Sequence, residues 1–231
     1  MGLTLAQYEA RVAVFLMDTG NTIWPTATLD ECIRLALHEY SEANPLGVET
    51  VITLPGDGRE VALNALPGLT AVTDVWWPYD SAATTETWPP NRVRGFRMYW
   101  DDDQPVLYLE TEDDTQPQQD DELRLWYVKQ RTIQNLDSAS ATTIQVDHES
   151  WIVMGAAGQA AFARATDLAE TAGVSAVSTP NLAALGSRWL RTFRANVASL
   201  RGQRNPGGPG GPVFGAGWRL DKWDNERGQG W

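Results

Sequence analysis

The stretch GVETVITLPGDGREVAL, Gly47 to Leu63, is where the chain changes its repeat. Before it, apolar residues recur every three or four positions, as on one face of a helix. Within it they fall in two short runs rich in β-branched residues, separated by Pro-Gly-Asp-Gly, a turn sequence. The spacing predicts a β-hairpin here, and with it a switch from helix to sheet.

Toward the N-terminus, Leu5, Tyr8, Val12, Phe15 and Leu16 keep helical spacing, and Thr4 with Gln7 has the spacing of a capping box. Gly20-Asn21 is expected to stop this helix. A second is expected after Pro25, with Thr28 as N-cap, Glu31 three residues on and an apolar stripe of Leu29, Ile33, Leu37 and Tyr40. Toward the C-terminus, AVTDVWWPY, RVRGFRMYW, PVLYLE and ELRLWYVKQ have strand length and strand composition. Acidic turns such as DDDQ and EDDTQPQQDDE separate them. Residues 47–132 therefore read as a small antiparallel β-rich insert of five or six strands.

Helical composition returns at Ser150–Thr171, with Asp147 and Ser150 as candidate caps. The small residues Gly155, Ala156, Gly158, Ala160 and Ala161 would let a neighbour approach closely. A last helix is expected from Ser178 or Thr179, with Pro180 in its first turn and a stripe of Leu182, Leu185, Trp189, Phe193, Val197 and Leu200. The fold class is α+β: a four-helix bundle (1–46 and 133–200), split by the β-domain, with an extended arm at 201–231.

The chain has 231 residues, 42% hydrophobic and 21% charged, which suits a globular body. No apolar run reaches membrane-span length. The first residues have no basic region or small-residue cleavage site, and Ala6 stands where a myristoylation signal needs Ser or Thr. Cys32 is the single cysteine, so no disulfide can form within the chain. A net charge of −12 argues against a general nucleic-acid binder. The acids concentrate in the insert, whereas Arg188, Arg191, Arg194, Arg201 and Arg204 group near the end.

Catalytic signals are weak. His38 sits beside the apolar stripe of the second helix as a structural residue. Asp147-His148-Glu149 reads better as a helix start than as metal ligands, because adjacent residues point in different directions. The glycines of 207–217 lack the Lys-Ser/Thr of a phosphate loop. A pair of insert carboxylates acting as a glycosidase would be coincidence among so many turn acids. No enzyme and no cofactor is expected.

Tryptophan is the anomaly, with eleven residues. Trp76, Trp77, Trp88 and Trp100 crowd the insert, either as its core or as a platform for sugars. Three more, Trp218, Trp223 and Trp231, lie in the Gly/Pro-rich arm with Phe214 and Leu220. Such a segment buries little against itself, and its spaced aromatics suit separate pockets on a partner, with Arg219, Lys222 and Arg227 pairing at the rim. Extended, residues 201–231 span up to roughly 100 Å.

The order of elements resembles the head–tail adaptor (connector or neck) proteins of tailed bacteriophages. The similarity lies in MGLTLAQYEARVAVFLMDTGNTIWPTATLDECIRLALHEYSE, in DELRLWYVKQRTIQNLDSASATTI and in WIVMGAAGQAAFARA, and it extends over the whole chain as a pattern of elements. It implies a structural virion protein: a homo-dodecameric ring under the portal protein that extends the DNA channel, passes DNA without sequence-specific binding and meets a downstream neck or tail protein. Its location would be the capsid–tail junction, after assembly in the host cytoplasm and with no membrane. In that setting Phe214, Trp218, Arg219, Leu220, Lys222, Trp223 and Trp231 would dock on the portal or a neighbouring subunit. Arg188, Arg191 and Arg194 would contact a subunit or the channel DNA. The alternative is a Trp-rich carbohydrate- or surface-binding virion module.

Overall fold

A computed structural model describes residues 2–82, 93, 95–111, 115–170 and 178–204. The fold is α+β, with four α-helices and two small antiparallel sheets among the described residues. Helices α1 (Leu5–Phe15) and α2 (Thr26–Ala43) come first. Strands β1 (Leu46–Thr53), β2 (Glu60–Ala62), β3 (Leu69–Tyr79), β4 (Gly95–Asp101), β5 (Gln104–Glu110) and β6 (Glu122–Lys129) follow. Helices α3 (Glu149–Glu170) and α4 (Ser178–Arg204) close the described part. Two compact units result: a helical one from 1–46 and 130–203, and a β unit containing Gly47–Lys129.

The capping box at Thr4 and Gln7 forms as expected: the Gln7 side chain accepts from the Thr4 N–H at 2.9 Å. Helix α1 ends earlier than Gly20, because Met17 takes a left-handed backbone (φ 56°). Helix α2 starts at Thr26, so Thr28 lies in its first turn rather than capping it. The polar work at this joint falls to Asp18. Its carboxylate accepts from the backbone N–H groups of Thr22, Ile23 and Trp24 and from the Thr22 hydroxyl at 2.8–3.0 Å. The Trp24 N–H leads, with those of Ile23 and Thr22 and the Thr22 hydroxyl, in holding the Asp18 carboxyl at about 2 against the opposing effect of burial.

All four helices share one hydrophobic core. Tyr8 and Val12 enter from α1, Leu29, Ile33, Ala36 and Tyr40 from α2, Ile152, Ala156 and Ala160 from α3, and Phe193, Val197 and Leu200 from α4. The small-residue stripe of α3 does meet a close neighbour, and it is α4. A methyl group added at Gly155 would lie 3.0 Å from the Phe193 ring, and one at Gly158 2.9 Å from Leu190; one at Gly186 would lie 2.9 Å from the Gly158 carbonyl oxygen. As numbering rises along α3 it falls along α4, so the two helices run antiparallel.

The expected hairpin over 47–63 does not form. Strand β1 pairs with β6 in the sheet β1-β6-β3, and β2 pairs with β5 in the sheet β2-β5-β4. The Pro-Gly-Asp-Gly segment bonds to the residues leading into β6 instead of closing on itself. Leu54 exchanges hydrogen bonds with Asp120 and Asp121 (3.0 and 2.8 Å), and the Gly58 N–H reaches the Pro117 carbonyl at 2.9 Å. Leu54 and Val61 are thereby buried in one core with Val75, Trp77, Leu107, Leu109, Leu123 and Leu125. The DDDQ turn behaves as its composition suggests. It joins β4 to β5 through Asp102 and Asp103, both at positive φ, with Asp101 opposite Gln104.

One buried side chain anchors the place where the chain leaves the helical unit and returns to it. Arg131 donates from Nε to the Asn44 carbonyl at 2.6 Å and from its terminal nitrogens to the Thr143 carbonyl and the Asn44 side chain. Its own backbone N–H donates to Ser41 Oγ at 3.2 Å. The end of α2 and the segment after β6 are held together by this guanidinium, and its positive charge strengthens each bond it donates.

Candidate interaction surface

The end of α1 and the two residues after it carry the run Val12-Ala13-Val14-Phe15-Leu16-Met17, more apolar residues in succession than one helix face can bury. Val12 and Ala13 turn inward, while Val14 (62% exposed), Phe15 (41%) and Met17 (94%) face solvent. Val14 and Phe15 form one wall of an apolar groove of about 430 Å³ with Ala10, Arg11, Ser150 and Val153. Trp189 of α4 packs edge-on to Phe15, with ring centres 5.6 Å apart. Arg11 supplies a cation at the rim, 3.6 Å from the buried Glu149 carboxylate, which accepts from the Leu3 N–H at 3.0 Å. The groove is thus an apolar slot with one charge at its edge, suited to aromatic or aliphatic side chains.

Arg188, Arg191 and Arg194 of α4 are exposed, with different surroundings. Arg194 makes a paired contact to Glu39 of α2, Nε and Nη2 each 2.9 Å from a carboxylate oxygen, and this bonding raises its pKa. Arg188 and Arg191 make no ion pair among the described residues, so their charges are open to a partner. The arm residues Phe214, Trp218, Arg219, Leu220, Lys222, Trp223 and Trp231 lie outside the described residues.

His148 is structural. Its Nδ1 lies 2.7 Å from the Tyr40 hydroxyl, and its ring stacks on Trp151 at 4.1 Å. Burial, with the nearby Arg131 charge, pulls its pKa below the usual histidine range, against an opposing effect of Asp147. His38 is exposed beside Glu42 at 3.4 Å. Cys32 is buried, and burial pushes its thiol up to about 11, away from the reactive thiolate. No group of three metal-ligating side chains converges among the described residues.

The tryptophans of the insert divide by strand alternation. Trp77 turns inward and is 7% exposed, part of the core. Trp76 turns outward, opposite Arg124 on β6, and packs on Trp126 at 4.5 Å. The Arg124 guanidinium sits 4.9–5.2 Å from the ring centres of Trp76, Tyr79 and Trp126 and binds Glu49 at 2.6 Å. The flat face a sugar would need on Trp76 is therefore occupied by protein. Trp100, 58% exposed, is the open tryptophan among the described residues, and Trp88 lies outside them.

Sequence reasoning missed the groove, although the apolar run Val12–Met17 was its signal. It missed Arg131 and Arg124 altogether. No helix among the described residues is long and apolar enough to cross a membrane.

No protein-family model and no curated protein matches the chain. Among solved structures it is similar to one described as "Neck of empty GTA particle computed with C6 symmetry", at 17% identity over 81% of this chain and 88% of that chain, with a TM-score of 0.30. It is also similar to one described as "Neck of native GTA particle computed with C12 symmetry", at 17% identity over 78% of this chain and 89% of that chain, with a TM-score of 0.29. At that identity and score neither likeness carries a functional argument, and the chain's own residues must supply it.

Proposed function

We propose that the chain is a structural, non-enzymatic virion protein of the neck: a head–tail adaptor whose copies form a homo-dodecameric ring under the portal. The ring extends the DNA channel and joins capsid to tail. In this reading the four helices act as the ring-forming bundle and the arm after α4 docks on the portal. The observation that carries the reading is the apolar surface left on the helical unit at Val14, Phe15 and Met17. A chain working alone gains nothing from such a patch, whereas a subunit of an assembly buries it. The open Arg188 and Arg191 supply charge for a neighbouring subunit or the portal, and the overall charge of −12 suits a channel that passes DNA without gripping it.

The test is co-sedimentation of the full chain with the portal of the same particle, beside a chain ending at Leu200. The full chain should sediment with the portal and the shortened one should not. Equal binding by both would remove the arm from the portal contact, and binding by neither would remove the adaptor role.

A further inference from the structure

We infer that Tyr40 and His148 form an acid-sensitive latch, which holds the start of α3 against the end of α2 and opens when the imidazole takes up a proton. The inference goes beyond the adaptor reading and does not require it. It starts from a chain of hydrogen bonds that runs one way, from the buried Arg131 to His148. A guanidinium has only donors, so the Asn44 amide must turn its oxygen toward it, and Arg131 Nη2 lies 3.3 Å from Asn44 Oδ1. The Asn44 amide nitrogen is thereby left for Tyr40, and it donates to the hydroxyl oxygen at 2.8 Å. The Tyr40 hydrogen then points to His148 Nδ1, 2.7 Å away. This order gives Nδ1 the acceptor role, so the ring is neutral and carries its proton on Nε2.

A second proton breaks the order. On Nδ1 it sets two hydrogens between atoms 2.7 Å apart, and it adds a positive charge to the network that already holds Arg131. The titratable and charged groups around the ring come from several elements. Tyr40 comes from α2, Arg131 from the segment after β6, Asp147 from the turn before α3, and the buried Glu149 from α3 itself. On the α1 side, Tyr8 lies close enough to Glu149, Arg11 and Tyr40 for each to act on its hydroxyl. Burial is the largest effect on His148 and favours the neutral ring; Asp147 opposes it, and the Arg131 charge adds to it. Trp151, stacked on the ring at 4.1 Å, sides with Asp147 through its electron-rich face. The opened ring takes up its proton near the ordinary histidine value of about 6.5, and the latched ring only at lower pH. The latch is therefore fully held above that value and weakens as pH falls through it. Glu149, the next residue, accepts from the Leu3 N–H at 3.0 Å and lies 3.6 Å from Arg11, so release at His148 loosens the N-terminal segment too.

The experiment is hydrogen exchange of the full chain, read by mass spectrometry and corrected for the intrinsic rate, beside an NMR titration of its two histidine rings. Between about pH 7.5 and 5.5, exchange at residues 146–152 should rise up to about tenfold, the limit for one proton, while residues 156–165 of α3 hold steady. His148→Asn keeps an acceptor for the Tyr40 hydroxyl and does not titrate in this range, so it should abolish the rise. Tyr40→Phe should move the His148 midpoint up toward the ordinary value, and His38→Asn should change nothing. Tyr40 is fully buried, so if Tyr40→Phe fails to fold, His148→Asn decides. A His148 midpoint at or above the ordinary value would overturn the inference, as would exchange that does not rise or a rise that persists in His148→Asn. A rise shared by all four helices would overturn it as well, because it marks global unfolding.

Discussion

Gly186→Ala puts two effects of opposite sign in competition. Alanine favours a helix interior over glycine by about 0.8–1.0 kcal/mol. On an isolated helix the substitution would stabilise. In this molecule the added methyl would lie 2.9 Å from the Gly158 carbonyl oxygen and 3.0 Å from the Phe162 nitrogen. Both are backbone atoms of α3, so no side chain can rotate away and the helices must separate. Overpacking of this kind costs about 1–3 kcal/mol, and separation also loosens Leu190 and Phe193 in the shared core. The overpacking cost matches or exceeds the propensity gain, leaving a net loss of up to about 2 kcal/mol. For a chain of this size that lowers the melting midpoint by up to about 8 °C. The assay is thermal unfolding followed by circular dichroism at a helix-sensitive wavelength, so that the helical unit is observed. Gly155→Ala is the comparison. Its methyl would meet the Phe193 ring and the Ala36 methyl, side-chain atoms at 3.0–3.1 Å, and the ring can yield. Gly186→Ala should be the more damaging of the two. A rise in midpoint for Gly186→Ala would refute the backbone-on-backbone packing of α3 and α4.

Arg131→Met should cost about 3–5 kcal/mol by leaving the Asn44 and Thr143 carbonyls without their donor, measured by chemical denaturation. Trp77→Ala should unfold the β unit rather than delete a surface site, at a cost of about 3–5 kcal/mol, seen as loss of strand signal with the helical signal retained. Burial, then a hydrogen bond that the protonated Glu9 donates to the Asp30 carboxylate and the Asp30 charge, raise the Glu9 carboxyl to about 7. An acid raised in the folded state holds its proton there while the unfolded chain releases it, so this group costs stability as pH climbs from about 4.5 to 7. Glu9→Gln should therefore raise the melting midpoint above pH 7 and change it little below pH 4.5 or so. Asp18 has the opposite sign: its stabilising effect is present above the ordinary aspartate range and is lost as pH falls toward 2, so Asp18→Asn should lower the midpoint at neutral pH and converge with the unsubstituted chain in strong acid.

What the sequence made legible was local. The stripes of α1 and α2, the strand composition around Trp76 and Leu123, and the small residues of α3 each reflect a periodicity that a side chain cannot hide. Pairing was not legible. Leu54-Pro55-Gly56-Asp57-Gly58 has every residue type of a hairpin turn, yet its amides bond to Pro117 and Asp121, sixty residues or so away in sequence. Turn composition fixes where a chain can bend and leaves open which strand it meets next. The small residues announced a close neighbour and could not say that it was α4, because that depends on Gly186 and Phe193 being in register. Arg131 looked like any charged residue after a strand; only the folded chain gathers the Asn44 and Thr143 carbonyls around it. The groove left a trace in the run from Val12 to Met17, but a run longer than one face shows only that some of it stays outside. The Trp-rich insert had two open readings, and strand alternation separates Trp77 inside from Trp76 outside, under Arg124.

The central claim is that copies of this chain form a ring between portal and tail. Cryo-electron microscopy of the neck of the particle that contains the chain tests it most directly. The account predicts twelve copies of the helical unit in a ring against the portal, with the apolar surface around Val14 and Phe15 covered by protein. A neck map with no density matching α1–α4 at that level, or with the chain on the outer particle surface and that patch open to solvent, would contradict it.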